Sequence, residues 1–378
     1  MRLGMIALCI LALNAGEALA SGYSELNLGI TYHVRRQWDA VIVHLTAALR
    51  APDLPAAYRS VAYLDRGDAY FQKGQLDKAI ADYDACLAAD PDYLQALIDR
   101  GVAYGRQGKF DPAIADFSAL IARRPAHAFI YDARGVAYEG QKKFDLAIAD
   151  FSTAIKLASS DPGAYMLRGF AYRVTGKDDA AIADYNAAID INSDLAGAYI
   201  GRALANRDGG HYSEAARDLQ TAMKLKPDSG EIRDLGVAQW EAGHYADAAQ
   251  SFAQALQDNP ADLYAVLWHL IATLNGQGHV GDDQRRSASA RDLTKWPGPL
   301  VGVYIGRTQP DTALKAAQNS DPETQANQMC EANFYLGEWQ VLAANKAAAL
   351  PMLQAAQAQC PQVFIERDAA TAQLKRLQ

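Results

Sequence analysis

Five arginines recur at intervals of 34 residues: Arg66, Arg100, Arg134, Arg168 and Arg202. Sixteen residues after each stands an aspartate: Asp82, Asp116, Asp150, Asp184 and Asp218. Opposite charges at one fixed offset read as partners of each other, so we expect five scaffold ion pairs rather than a charged binding strip. Such a pair contributes well under ~1 kcal/mol if exposed, and breaking one that is buried costs on the order of 3 kcal/mol. The other residue types that do chemistry are scattered. The seven histidines (His33, His44, His127, His211, His244, His269, His279) form no ligand pair one helical turn apart. His279 with Asp282 and Asp283 comes nearest to a metal motif and reads as a solvated turn. There is no Gly-x-Ser-x-Gly, no phosphate-cradling glycine loop and no His-Glu-x-x-His helix. The sequence assigns no catalytic residue, no metal and no cofactor, and predicts a chain that is not an enzyme.

The cysteines offer one covalent possibility. Cys330 and Cys360 flank a segment that reads as a helical hairpin turning near Ala344, which brings its two ends together and predicts a Cys330–Cys360 disulfide. Cys86 falls where equivalent segments carry Ala or Leu, so it reads as a small core residue.

The elements that position these residues are set by a repeat. Ala-Ile-Ala-Asp-aromatic begins at Ala79, Ala113, Ala147 and Ala181, each 34 residues after the last. We number each unit 1 to 34, beginning at Gly22, Ser60, Leu94, Ala128, Pro162, Ala196 and Ser229, with a last unit at Cys330. Position 8 is then Gly29, Gly67, Gly101, Gly135, Gly169, Ala203, Gly236 and Gly337. Position 20 is Val41 or Ala throughout, and position 24 is large and apolar, from Leu45 and Tyr83 to Phe252 and Leu353. Small residues let two helices approach closely, and the bulky one fills the space they leave. Pro91, Pro125, Pro227, Pro260 and Pro361 stand at position 32, where they end the second helix.

This template resembles the tetratricopeptide repeat family. The resemblance implies an all-α, right-handed superhelical solenoid of stacked helix–turn–helix repeats, with an irregular helical insert and a C-terminal capping helix. The expected organisation is a signal peptide at 1–20, seven repeats over 22–262, an irregular helical segment over 263–329, and a terminal repeat with capping helix over 330–378. The leader pattern is Arg2, an apolar run from Leu3 to Leu13, and Ala18-Leu19-Ala20 before a predicted cleavage ahead of Ser21. Cys9 lies inside that run and not at the cleavage point, which argues against a lipid anchor. No later run is long enough to span a bilayer. The expected location is the periplasm, where the disulfide is permitted. A formal net charge of −8 without a Lys/Arg-rich run excludes nucleic acid as a natural ligand.

The leader, the segment Asn-Phe-Tyr-Leu-Gly-Glu-Trp from Asn333 and the final Phe-Ile-Glu-Arg helix also resemble the NlpI-type periplasmic repeat proteins of Gram-negative bacteria. That resemblance implies an adaptor that tends to dimerise and brings peptidoglycan hydrolases to a processing protease. In the repeat family, positions 2, 5, 9, 12 and 13 of the first helix face a concave groove. Mapped here, they offer Ile98, Arg106, Glu139, Met166, Phe170, Arg173, Arg207, Asp208 and Trp240 as protein-binding residues. The arginines would hold carboxylates, and Met166, Phe170 and Trp240 would grip apolar side chains. The competing reading has the chain's own C-terminal helix filling that groove. The favoured function is an exported, non-catalytic adaptor. The alternative is a structural subunit of an envelope or secretion assembly, held by oligomer contacts.

Overall fold

The computed structural model describes residues 21–227, 231–361 and 364–378. The expected signal peptide at 1–20 lies outside the described residues. All regular structure among the described residues is helical, and the chain divides into two compact units, 1–159 and 160–378.

The first unit holds four helical hairpins: α1 (Ser21–Val34) with α2 (Trp38–Arg50), α3 (Ala56–Gln72) with α4 (Leu76–Ala89), α5 (Leu94–Arg106) with α6 (Phe110–Arg123), and α7 (Ala128–Gly140) with α8 (Phe144–Leu157). First helices touch successive first helices, so α1, α3, α5 and α7 form one layer and the second helices another. The small residues at position 20 make this packing possible: Val41, Ala79, Ala113 and Ala147 are fully buried. Position 24 then sits directly on position 8. A Cβ on Gly135 would lie 2.5 Å from the Phe151 ring, and one on Gly67 would lie 2.7 Å from Tyr83.

Each hairpin turns through a left-handed residue at position 15. It is glycine in five repeats, with φ between 71° and 81°, but Arg36, Lys142 and Ala344 adopt φ 57–59° there. A side chain in that region costs roughly 1 kcal/mol or more, partly offset by the entropy that glycine adds to the unfolded chain. Ala344→Gly should therefore stabilise the protein by about 0.5–1 kcal/mol, read as a rise in the thermal midpoint.

The second unit continues with α9 (Pro162–Val174) and α10 (Asp178–Ile191), α11 (Ala196–Asp208) and α12 (Tyr212–Leu225), and α13 (Ile232–Glu241) and α14 (Tyr245–Asp258). The irregular segment supplies α15 (Leu263–Gln277), α16 (Asp282–Ser289), α17 (Gly298–Tyr304) and α18 (Pro310–Ala316). Then come α19 (Pro322–Leu342), α20 (Lys346–Gln359) and α21 (Ile365–Leu377). Leu157 and Ile191 end their helices at the usual place although Ser159 and Ser193 replace the proline, so proline reinforces the stop without being required for it. α19 begins eight residues before the last repeat's expected start at Cys330, because Asp321 caps it by accepting from the Thr324 N–H at 2.8 Å and Pro322 fits its first turn.

The insert shares its core with the repeats around it. Trp240, Phe252, Trp268, Leu300, Phe334, Leu353 and Ala369 belong to one buried cluster. Cys330 and Cys360 are disulfide-bonded across the base of the α19–α20 hairpin, with Cα atoms 5.1 Å apart. Cys86 is fully buried, and burial pushes its thiol up to about 12, so it carries no thiolate at neutral pH.

Candidate functional site

The arginine–aspartate ladder lies between the two layers. Arg66 Nε and Nη2 donate to the Asp82 carboxylate at 2.7 Å each, and Arg134 makes the same fork with Asp150 at 2.7 and 2.8 Å. Arg100 with Asp116, Arg168 with Asp184 and Arg202 with Asp218 repeat this geometry. The aspartate side chains are only 8–9% exposed and the arginines 16–23%, so these bidentate pairs are shielded from water.

Two further partners were not evident from the sequence. The remaining Nη1 reaches back to the preceding repeat's second helix: Arg66 to Thr46 at 3.0 Å, Arg134 to Ser118 at 3.1 Å, and Arg202 to Asn186 at 2.5 Å. These three guanidiniums, and that of Arg100 through Asp84 at 2.6 Å, therefore each tie three helices. Tyrosines at positions 4 and 11 then flank the arginine, Tyr63 and Tyr70 about Arg66, Tyr131 and Tyr138 about Arg134, and Tyr165 and Tyr172 about Arg168, with ring centres 5.7–5.9 Å from the guanidinium carbon. The ladder is structural. Asp150→Ala should cost about 2 kcal/mol in urea unfolding because Arg134 would lose a shielded partner. Glu214→Ala, in a pair with Arg217 whose side chains are 51% and 70% exposed, should cost well under ~1 kcal/mol.

The residues mapped to the groove divide into three groups. In the first unit, Ile98 packs partly buried against the α5–α7 core, and the Arg106 guanidinium lies 4.3 Å over the Phe71 ring. On α7, Phe129, Asp132, Val136 and Glu139 follow one helical face, with Phe129 50% and Val136 46% exposed. Burial raises the Glu139 carboxyl above its ordinary value.

In the second unit, Met166 packs its methyl near Gly197, and Phe170 is 38% exposed one turn before Arg173. Arg173 sits 5.7 Å over the Phe170 ring and donates to Asp208 at 3.0 Å, so Phe170, Arg173 and Asp208 meet at one place, with Met166 one turn before Phe170 on the same helix.

Arg207 and Trp240 do not join them, which corrects the expectation that they offer an open grip. Trp240 is fully buried among Trp268, Phe334 and Tyr245. Arg207 is 9% exposed and forks onto Glu241, itself fully buried, at 2.8 and 3.0 Å. The physical reason is α21. It folds back across α13, setting Asp368 3.6 Å and the Ile365 carbonyl 3.4 Å from Arg207, while Arg376 donates to the Trp240 and Glu241 carbonyls and stacks 4.8 Å over Trp240. The competing reading of a self-filled face is what the structure has here. Glu241 could have been found from the sequence, since it stands 34 residues after Arg207.

These features define a class: a helical-repeat scaffold with a buried structural ladder and solvent-facing apolar strips on its first helices. The family follows from comparison. Two models, described as TPR repeat and Tetratricopeptide repeat, match residues 67–108, and residues 98–162, 133–196, 200–262 and 233–270, together more than half of the chain. The chain is a tetratricopeptide repeat protein. Its structure is similar to a tetratricopeptide repeat protein from Parabacteroides merdae, with a TM-score of 0.52 and 18% identity over 67% of this chain and 99% of that one, a likeness of fold. It also matches a crystal structure of MamA at 28% identity and a TM-score of 0.40, over 43% of this chain and 94% of that one. Among curated proteins it is 33% identical over 67 residues to the peptidyl-prolyl cis-trans isomerase CYP7 of Saccharomyces cerevisiae. That stretch is 18% of this chain and spans 17% of the relative, so nothing of the isomerase activity follows for this chain. Among the described residues no helix is long and apolar enough to cross a membrane.

Proposed function

We propose that this protein is an exported, non-catalytic adaptor that docks other proteins on the first-helix faces of its repeats. The carrying observation is the outward apolar strip on those helices: Phe129 and Val136 on α7, and Phe170 and Val174 on α9, are 38–50% exposed beside charged neighbours. A self-sufficient solenoid gains nothing by placing a half-exposed phenylalanine at these positions, whereas a partner's apolar side chain would remove it from water. Arg106 and Arg173, each stacked on a phenylalanine, supply a cation next to an apolar surface. That combination suits an amphipathic segment bearing carboxylates. Export rests on the leader pattern and on the Cys330–Cys360 pair, which an oxidising compartment maintains. The resemblance to the NlpI type suggests peptidoglycan hydrolases or their processing protease as partners.

The test is capture from the native cell envelope by the mature chain, compared with a Phe129→Asp/Phe170→Asp variant of equal thermal stability. Loss of a wall hydrolase or protease from the variant's captured set supports this reading. An unchanged set would remove the first-helix faces from consideration.

A further inference from the structure

Three metal-ligating side chains converge on the first-helix layer of the first two repeats. His33 projects from the last turn of α1, and Asp65 and Asp68 stand one turn apart on the neighbouring α3. One donor atom from each lies within 4.8 Å of the others, and all three residues are half-buried. His33 Nε2 is 3.4 Å from Asp68 Oδ2. That separation matches the edge of a tetrahedron built on bonds of about 2.1 Å, the zinc–imidazole and zinc–carboxylate length.

The surroundings hold this geometry in place. The Tyr83 hydroxyl donates to Asp68 Oδ1 at 3.1 Å, which leaves Oδ2 toward the histidine. Trp38 packs edge-on against the His33 ring with centroids 5.4 Å apart, fixing its plane. Asp99 adds negative charge nearby, close enough for its field to reach Tyr83 and Cys86 together with that of Asp68.

We propose that His33, Asp65 and Asp68 bind one divalent transition-metal cation of the zinc type. One nitrogen and two carboxylate oxygens, with no thiolate, fit Zn²⁺ better than Cu⁺, and they are too few oxygens for a Ca²⁺ cage. Three protein ligands leave a fourth position for water or for a donor from a docked partner. The ion would join the first repeat to the second and neutralise the local carboxylate charge. No motif announces it, because Asp65 and Asp68 lie 32 and 35 residues after His33 and meet it only when consecutive repeats stack.

The test is titration of the metal-free mature chain with Co²⁺ and then Zn²⁺. One equivalent of Co²⁺ should produce the intense visible bands of a tetrahedral site, and Zn²⁺ should abolish them. His33→Gln and Asp65→Asn should each weaken binding by at least about 100-fold and remove the Zn²⁺-dependent rise in thermal midpoint. His127→Gln, an exposed control, should leave both unchanged. Unaltered far-ultraviolet circular dichroism of the metal-free variants shows that they fold. Absence of saturable binding by the wild type, or equal binding by all four proteins, would overturn the proposal. The second result would place the cation elsewhere, for example at His279, Asp282 and Asp283.

Discussion

Replacing Arg207 by alanine should lower stability by about 3–5 kcal/mol, because it leaves the Glu241 carboxylate buried without its bidentate partner. The loss is chiefly one of compensation. Burial works against both charges, and the fork at 2.8 and 3.0 Å, with Asp368 beside it, is what keeps them charged in place. The double variant Arg207→Met/Glu241→Leu removes both charges and should recover most of the deficit. Urea unfolding of the three proteins measures this. A single variant within ~0.5 kcal/mol of wild type would show that the pair is solvated. Since Arg207 also contacts Asp368 and the Ile365 carbonyl, its loss should loosen α21 first, visible as faster amide exchange over 365–377.

The second large effect depends on pH. Glu338 is completely buried on α19, neither carboxylate oxygen has a hydrogen-bond partner among the described residues, and burial pushes its pKa up to about 8. Arg376 pulls it down only in part. The folded protein therefore holds a proton that the unfolded chain releases near pH 4.5. Stability from this group is intact below that pH, falls as pH rises from about 4.5 to about 8, and is reduced by on the order of 4–5 kcal/mol above it. Glu338→Gln removes the titration. It should match wild type near pH 4.5 and exceed it by several kcal/mol at pH 8.5, in urea melts at the two pH values. Glu366, raised by burial to about 7, pulls in the same direction, so the variant should keep a smaller slope of the same sign. Equal slopes in both proteins would mean that Glu338 is ionised when folded.

What the sequence revealed, and what it hid, follows from contact distance along the chain. Positions 20 and 24 were legible because their partners lie within one repeat: Ala113, Ala147 and Ala181 are fully buried, and Phe117, Phe151 and Tyr185 are at most 3% exposed. The Arg–Asp forks were legible for the same reason, at a separation of 16 residues. The tyrosines around the arginines were hidden in plain view, since aromatic residues at positions 4 and 11 read equally well as core. Register placed Arg207 and Trp240 on first helices, at positions expected to face the groove. It could not show that α21 returns to cover them, through contacts 135–158 residues apart in the chain. Register transfers the direction of a side chain from repeat to repeat, but not its exposure.

The proposed adaptor role requires that the first-helix faces receive a partner. The most direct measurement is photo-crosslinking in living cells, with a photoreactive residue placed singly at Phe129, Phe170 and, as a second-helix control, Arg217. Adducts to the same partner from Phe129 and Phe170, absent from Arg217, are the predicted result. Adducts from Arg217 alone, or only to a second copy of the chain, would contradict it and favour a subunit held in an assembly by its outer helices.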